Sequence, residues 1–330
     1  MKKLLILFVV FLGLGIANAQ NKEYKEYYDN GKLKKEGYKN ADGGREGENK
    51  EYYDTGELKY LMSYKNGQLD GESKMYYKSG KLMGVENYKN GKPADGGMKK
   101  YYENGQLASF INVVDGKPKG EYAQYFDNGQ VAVKGNFVNG QVENEVKYYY
   151  ESGKPKKTEN YKSGKLNGLS KEFYENGNTE SEFNYINGEK DGEGKWNYES
   201  GKPRKIINYK NKELNGEYKE YHENGQLAVI KNLVNEKEEG MVKEYHSNGK
   251  PKRTCNYTGG NRDGECKEYY EDGQLKMKAT YKKGKLEDGS EYFKKDGSPD
   301  PELKRLGDFL DHKTYEDNKA SEQSRQAEKK

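Results

Sequence analysis

Few residues in this chain have types and spacings that could do chemistry. It carries 2 Cys and 3 His among 330 residues. Cys255 and Cys266 lie close in sequence. If Tyr257 faces Gly264 across a hairpin, each step back along one strand is a step forward along the other, and Cys255 falls opposite Cys266. Directly opposed antiparallel residues have Cα atoms about 4.5–5.5 Å apart, within the range of a disulfide. Two readings stay open, a bridge and two free thiols. If present, the bond is a staple for one hairpin and not a redox site.

The histidines are His222, His246 and His312. His222 and His246 occupy equivalent places in successive copies of a repeat, roughly 10 Å apart on the strand spacing of a sheet. Two nitrogens so far apart cannot share a zinc ion at about 2.0–2.1 Å each, so they are expected to stand in for tyrosines. Asp-Gly pairs such as Asp95-Gly96 and Asp263-Gly264 lack the alternating ligands and terminal Glu of an EF-hand and read as turns. No nucleophile elbow, phosphate loop or Ser–His–Asp set is found. The carboxylate pairs recur with the repeat, as solvated surface would. The expectation is a protein that is not an enzyme, with no catalytic residue, no metal and no cofactor.

What positions these side chains is a repeat, and repeats decide architecture before local patterns do. YYDNGKL at 27–33 returns as YYDTGEL at 52–58, YYKSGKL at 76–82, YYENGQL at 101–107 and onward to YYEDGQL at 269–275. The marker glycines are Gly31, Gly56, Gly80, Gly105, Gly129, Gly153, Gly177, Gly201, Gly225, Gly249, Gly273 and Gly297. They are 24 residues apart in nine of eleven intervals and 25 in the other two. A second column follows eight residues on: Tyr64, Tyr88, Val113, Phe137, Tyr161, Tyr185, Tyr209, Leu233, Tyr257 and Tyr281. A third is a Gly-Glu step, as at Gly71-Glu72, Gly120-Glu121, Gly192-Glu193, Gly216-Glu217 and Gly264-Glu265. Asn-Gly and Asp-Gly supply the positive φ angles of hairpin turns, and Tyr-rich runs of five to seven residues have strand character. No 3.6-residue apolar period competes.

The pattern Tyr-x-x-Gly-Lys-x-x-Gly-x-x-x-x-Tyr-Tyr-x-x-Gly, as at 161–177 with Phe173 in place of the first Tyr of the pair, resembles the MORN repeat in its bacterial variant. That variant is found in exported proteins and in proteins labelled toxin–antitoxin-system antitoxins of the YwqK type. The resemblance spans about 23–297. It implies an all-β fold, an elongated single-layer antiparallel sheet of tandem hairpins of about 24 residues. This chain departs from the eukaryotic form in its Tyr-Tyr pair and in having only Trp196. MORN repeats also accompany some lipid kinases, but no kinase motif is present.

Composition agrees with a sheet that has no deep core. Leu, Ile, Val and Phe are well below the roughly 20% under which globular folding usually fails, while Tyr numbers 32 and Gly 41. Tyrosine packs its ring and still wets its hydroxyl. Paired tyrosines at adjacent strand positions point to opposite faces, so each face is expected to carry an aromatic ladder. At roughly 9–10 Å per repeat, eleven repeats make a body on the order of 100 Å. Charged residues are 35% of the chain yet nearly cancel, at net +4. No basic stripe survives for nucleic acid.

Residues 1–19 read as a secretory signal, with Lys2 and Lys3, an apolar run to Ile16 and the cleavage site Ala17-Asn18-Ala19. The run is too short to span a membrane, and Gln20 in place of Cys excludes a lipoprotein. The expectation is export after cleavage behind Ala19, to periplasm, cell surface or medium, with no transmembrane segment in the mature chain. The array then occupies 20–297. A capping helix follows at 298–312, begun by Ser298-Pro299-Asp300-Pro301, with Leu303, Leu306 and Leu310 on one face. A disordered polar tail covers 313–330. The function expected is protein–protein interaction through an extended Tyr-rich face, as envelope scaffold, adhesin or host contact. Tyr52, Tyr76, Tyr101, Tyr125, Tyr149, Tyr221, Tyr245 and Tyr269 are the candidate binding aromatics. Glycan or cell-wall binding and an antitoxin or immunity role are the alternatives.

Overall fold

A computed structural model describes residues 21–311; the segment 1–19 read as a leader, the segment 313–330 read as a tail and His312 lie outside the described residues. The chain divides into two compact units, residues 1–129 and 130–330. Each is an open antiparallel sheet of consecutive hairpins, and among the described residues the fold is all-β apart from one helix at 301–311. In the first unit a repeat reads Leu58–Lys65, Gln68–Leu69 and Gly71–Tyr76. In the second it reads Pro203–Lys210, Glu213–Leu214 and Gly216–Tyr221.

Three sequence devices draw this plan. The short turn is a two-residue loop with both residues at positive φ, as at Asn66 (φ 50) and Gly67 (φ 80). This is the type I′ turn, whose twist matches that of the flanking strands. The marker turn closes with Gly56 N–H donating to Tyr53 O (2.9 Å) and Tyr53 N–H to Glu57 O (2.8 Å). The Gly of the Gly-Glu step is a bulge. Tyr64 pairs with Leu69, but Tyr60 pairs with Met75, so Asp70 and Gly71 are extra residues on the second strand. Asn144 fills the same place at φ 66, a region Asn tolerates better than most residues.

The bulge corrects one premise. Tyr257 faces Arg262, not Gly264, because Asp263 and Gly264 are the extra residues of that hairpin. Beyond them the register returns, Cys255 faces Cys266, and the structure joins the two in a disulfide with Cα atoms 4.1 Å apart.

The helix begins later than its prolines suggest. Pro299 forms a bridge with Phe293, and Asp300 is the N-cap, its carboxylate accepting from Leu303 N–H at 3.0 Å. Pro301 takes the first helical position, where no N–H is required. Only Leu303 packs inward, against a cluster of Cys255, Cys266, Met277, Ala279, Tyr281 and Tyr292. Leu306 and Leu310 are half exposed, contrary to a three-leucine packing face. Docking is instead polar: Asp311 accepts from Arg262 and Tyr281 (3.1 and 2.6 Å), and Asp308 accepts from Ser290 (2.7 Å).

Two short turns break their own rule. Lys212 (φ 77) and Glu236 (φ 66) stand where the other repeats mostly carry Gly. A non-Gly residue there costs about 1–2 kcal/mol in backbone sterics. Lys212→Gly and Glu236→Gly are each expected to raise stability by roughly 1 kcal/mol after the entropy cost of glycine, read as a higher thermal unfolding midpoint. Gly67→Ala should lower it.

Candidate interaction surface

Successive side chains along a strand alternate between faces, so the register assigns every column to one of two. The first may be called the rung face. On the second strand of seven repeats a Glu and a Lys two residues apart lie on it and pair: Glu23–Lys25, Glu48–Lys50, Glu72–Lys74, Glu145–Lys147, Glu193–Lys195, Glu217–Lys219 and Glu265–Lys267, at 2.5 to 3.3 Å. Two residues further on, on the same face, stands the first Tyr of the Tyr-Tyr pair. All eight candidate tyrosines, Tyr52, Tyr76, Tyr101, Tyr125, Tyr149, Tyr221, Tyr245 and Tyr269, occupy this place and are half-buried. Phe173 and Asn197 interrupt the column in the second unit, leaving Tyr221, Tyr245 and Tyr269 consecutive. Exposed pairs of this kind each contribute about 0–1 kcal/mol, so the rungs do little to hold the sheet. They offer a near-neutral surface of alternating charge beside phenol rings.

The second Tyr of each pair does something else. It lies outside the strand, at the start of the marker turn, and reaches the next repeat. Tyr28 donates its hydroxyl to Tyr52 O at 2.7 Å, Tyr53 to Tyr76 O at 2.8 Å and Tyr77 to Tyr101 O at 2.8 Å. Tyr150, Tyr174 and Tyr198 do the same to Phe173, Asn197 and Tyr221, at 2.6, 2.8 and 2.6 Å. His222 and His246 replace this function as well as the ring. Their Nε2–H groups donate to Tyr245 O and Tyr269 O, at 2.9 and 3.1 Å. The expectation of an aromatic ladder on each face is corrected: the second Tyr column is a row of clamps between turns. Neighbouring Asn side chains add to it, as Asn224 to Ser247 O (2.6 Å) and Asn248 to Glu271 O (2.8 Å).

The opposite face is packed. The column at Tyr64 lies here, with Val113, Leu233 and Tyr281 almost fully covered. Beside it runs a midline column that sequence reading missed, including Asn49, Ser73, Val146, Ser170, Phe183, Ile207 and Val242, all buried. It mixes large and small side chains so that neighbours interlock. Gly194 lies beneath Phe183, where a Cβ would meet the ring at 2.7 Å. Its only signal was position, two residues after the Gly step on one strand and two before the Tyr64-type column on the other, with no common residue type. Trp196 meets Phe183 edge-on at 4.7 Å, and Lys190 sits 3.8 Å over the Phe183 ring. Burial there holds the Lys190 ammonium below the usual lysine range. Burial alone would raise Glu159, yet donation from Lys157 (2.7 Å), Tyr161 (2.8 Å) and Tyr148 (2.9 Å) lowers it. Its stabilising contribution is present above the ordinary carboxylate range and is lost as pH falls through its own pKa.

The fold and its two faces define an open-sheet hairpin repeat protein. The model of the MORN repeat variant matches eleven segments: 20–40, 45–66, 69–90, 94–112, 118–139, 142–163, 166–187, 190–211, 214–235, 238–258 and 262–283. The chain belongs to this family. No curated protein matches it. Among solved structures it is similar to a chain in the complex of TcdB2, TccC3 and Cdc42, with 11% identity over 80% of this chain and 17% of that one, at a TM-score of 0.18. A chain of the Photorhabdus luminescens Tc holotoxin pore shows 12% identity over 84% of this chain and 18% of that one, at 0.18. The chain therefore spans about a sixth of the length of these chains.

The two tyrosine columns should separate experimentally. Tyr174→Phe or Tyr198→Phe should each cost about 1 kcal/mol, the net worth of a hydrogen bond. Tyr245→Phe, whose hydroxyl has no partner among the described residues, should change stability by less than about 0.5 kcal/mol. Chemical denaturation of the three variants measures both.

Alkaline pH offers a second check. Tyr52 is pushed up to about 12 by burial and by its hydrogen bond to Glu36. Tyr88 reaches about 12 through its hydrogen bond to Glu86 and burial. A raised folded pKa gives stability that is complete below the unfolded value of 10.0 and lost as pH climbs through about 12. The unfolding midpoint should hold up to that unfolded value and then fall, while phenolate absorbance of the folded chain lags that of the denatured chain.

Proposed function

We propose that this is an exported, non-enzymatic repeat protein that binds another protein through the rung face, as an envelope scaffold or a surface for adhesion. One observation carries the reading: in each unit the half-buried tyrosines and the Glu–Lys rungs lie on the same face, which contributes little to folding. Apart from Tyr52, those tyrosines make no hydroxyl hydrogen bond among the described residues, while their backbone carbonyls, except that of Tyr149, are engaged by the clamps. Tyrosine fixed by its main chain, with a ring and hydroxyl to offer, gives contact area at low entropic cost. The interleaved charges favour a partner with its own alternating charges over a uniformly charged polymer. Export rests on the leader read at 1–19, and no helix among the described residues is long and apolar enough to cross a membrane.

The test uses Tyr221, Tyr245 and Tyr269. Replacing all three by Ser should leave the circular dichroism spectrum intact and reduce cross-linked capture of an envelope or host-surface protein at least ten-fold. Capture undiminished by the triple variant would sink the rung face as the binding surface. Amino-terminal sequencing of the chain from outside the cell should begin at Gln20. Binding retained by a glycan array and lost in the triple variant would move the reading to carbohydrate. A captured extracytoplasmic toxin would move it to immunity, the role suggested by the antitoxin-type resemblance.

A further inference from the structure

The two terminal strands of the array differ. At the carboxyl end the strand Glu291–Tyr292 is covered, because Asp300 N–H donates to Tyr292 O at 2.8 Å and the helix at 301–311 follows. At the amino end the strand Lys22–Tyr27 pairs with Leu33–Lys39 on one side only. Its other side meets no strand among the described residues. Its sequence is Lys-Glu-Tyr-Lys-Glu-Tyr, and Tyr27 is 59% exposed.

We propose that this edge is a homodimer interface, in which two copies pair antiparallel about a two-fold axis through Tyr24. The charge pattern selects the partner. A two-fold axis perpendicular to a sheet keeps each face on its own side, so residue i can oppose only residues of its own parity. With Tyr24 opposite Tyr24 of the second copy, Lys22 opposes Glu26 and Glu23 opposes Lys25, in both directions. Every charged residue of the stretch then faces its opposite. Sliding the strands to the next allowed register sets Glu23 against Glu23, or Lys25 against Lys25, which is destabilising.

Alternating charge is also how a solitary edge avoids aggregation. A charge sequence that reverses sign about its own centre does more, since it cancels against itself in one register. The covered carboxyl end gives the sequence of contacts nowhere to continue, so assembly closes at two copies instead of growing into a fibre. On the rung face, Glu23 and Lys25 of each copy continue the ladder of ion pairs into the other.

Charge exchange tests this directly, with mass read by light scattering on the eluting protein. The unaltered protein should run at twice its chain mass. Lys22→Glu with Lys25→Glu makes an all-acidic edge, and Glu23→Lys with Glu26→Lys makes an all-basic one; each should be monomeric. Mixing the two variants should restore the doubled mass, which misfolded variants could not do. Tyr24→Cys should give a disulfide-linked dimer on mild oxidation, and Lys22→Cys should not. An unaltered protein that stays monomeric at high micromolar concentration overturns the proposal. So do reversal variants that remain dimeric, a mixture that stays monomeric, or a Tyr24→Cys chain that fails to cross-link.

Discussion

The hydrogen bond from the second aromatic of each pair to the next repeat's carbonyl is the constraint on which the rest depends. Strand ladders tie each hairpin to its neighbours, but a single layer has little apolar depth to fix how one repeat sits against the next. A rigid phenol ring solves this from the turn, where its donor meets a carbonyl 23 or 24 residues ahead, as Tyr174 meets Asn197. The acceptor belongs to the backbone, so the next side chain is free to vary: Tyr, Phe and Asn all serve. The donor is less free, and His222 shows what substitution it allows. An imidazole Nε2–H reaches the same carbonyl, whereas Phe126 lacks any hydrogen-bonding group. The opposite turns are tied by a related device, in which a carboxylate accepts a backbone N–H of the next repeat, as Glu46 does from Asn66 at 2.7 Å and Glu143 from Ser163 at 2.6 Å.

Much of this was legible in the sequence because turns announce themselves by residue type. Asn66-Gly67 and its equivalents named the hairpins, the marker glycines named the repeat, and together these defined an all-β array. The cysteine pairing followed from register even though Tyr257 was matched to the wrong partner. The error lay within a two-residue bulge, and the pairing beyond the bulge was unaffected. The division between faces was less legible. A Tyr-Tyr dipeptide in an ideal strand sends one ring to each side, but here the strand ends between the two, so Tyr52 and Tyr53 have different structural roles. The midline column was invisible for a different reason. Its requirement is complementary volume between neighbours, as between Phe183 and Gly194, and that leaves no residue type to recognise.

Electrostatics follow the same division. On the packed face charge is admitted only with partners, and the net shift records which effect dominates: Glu159 is lowered because three donors outweigh its burial. Lys190 has aromatic rings beneath it in place of a carboxylate, and burial lowers it too, in its case toward the neutral form. On the rung face the pairs are exposed, screened and individually weak. A chain with 35% charged residues can therefore fold without a conventional core, since most of its charge never leaves water.

The same asymmetry divides the two tyrosine columns. The first tyrosines recur as faithfully as the clamps do, yet their rings and hydroxyls contribute little to the hydrogen bonding that joins the repeats. A side chain kept in register by its neighbours' structural needs is presented at fixed intervals without having to stabilise anything. Repetition then sets the spacing of these rings. Consecutive rings at Tyr221, Tyr245 and Tyr269 are separated by two strands each, a distance set by the ladder. Where Phe173 and Asn197 interrupt the column, the clamps from Tyr150 and Tyr174 persist. The scaffold tolerates the change because it uses only the carbonyl there, so the pattern of rings on the rung face can change without altering the fold.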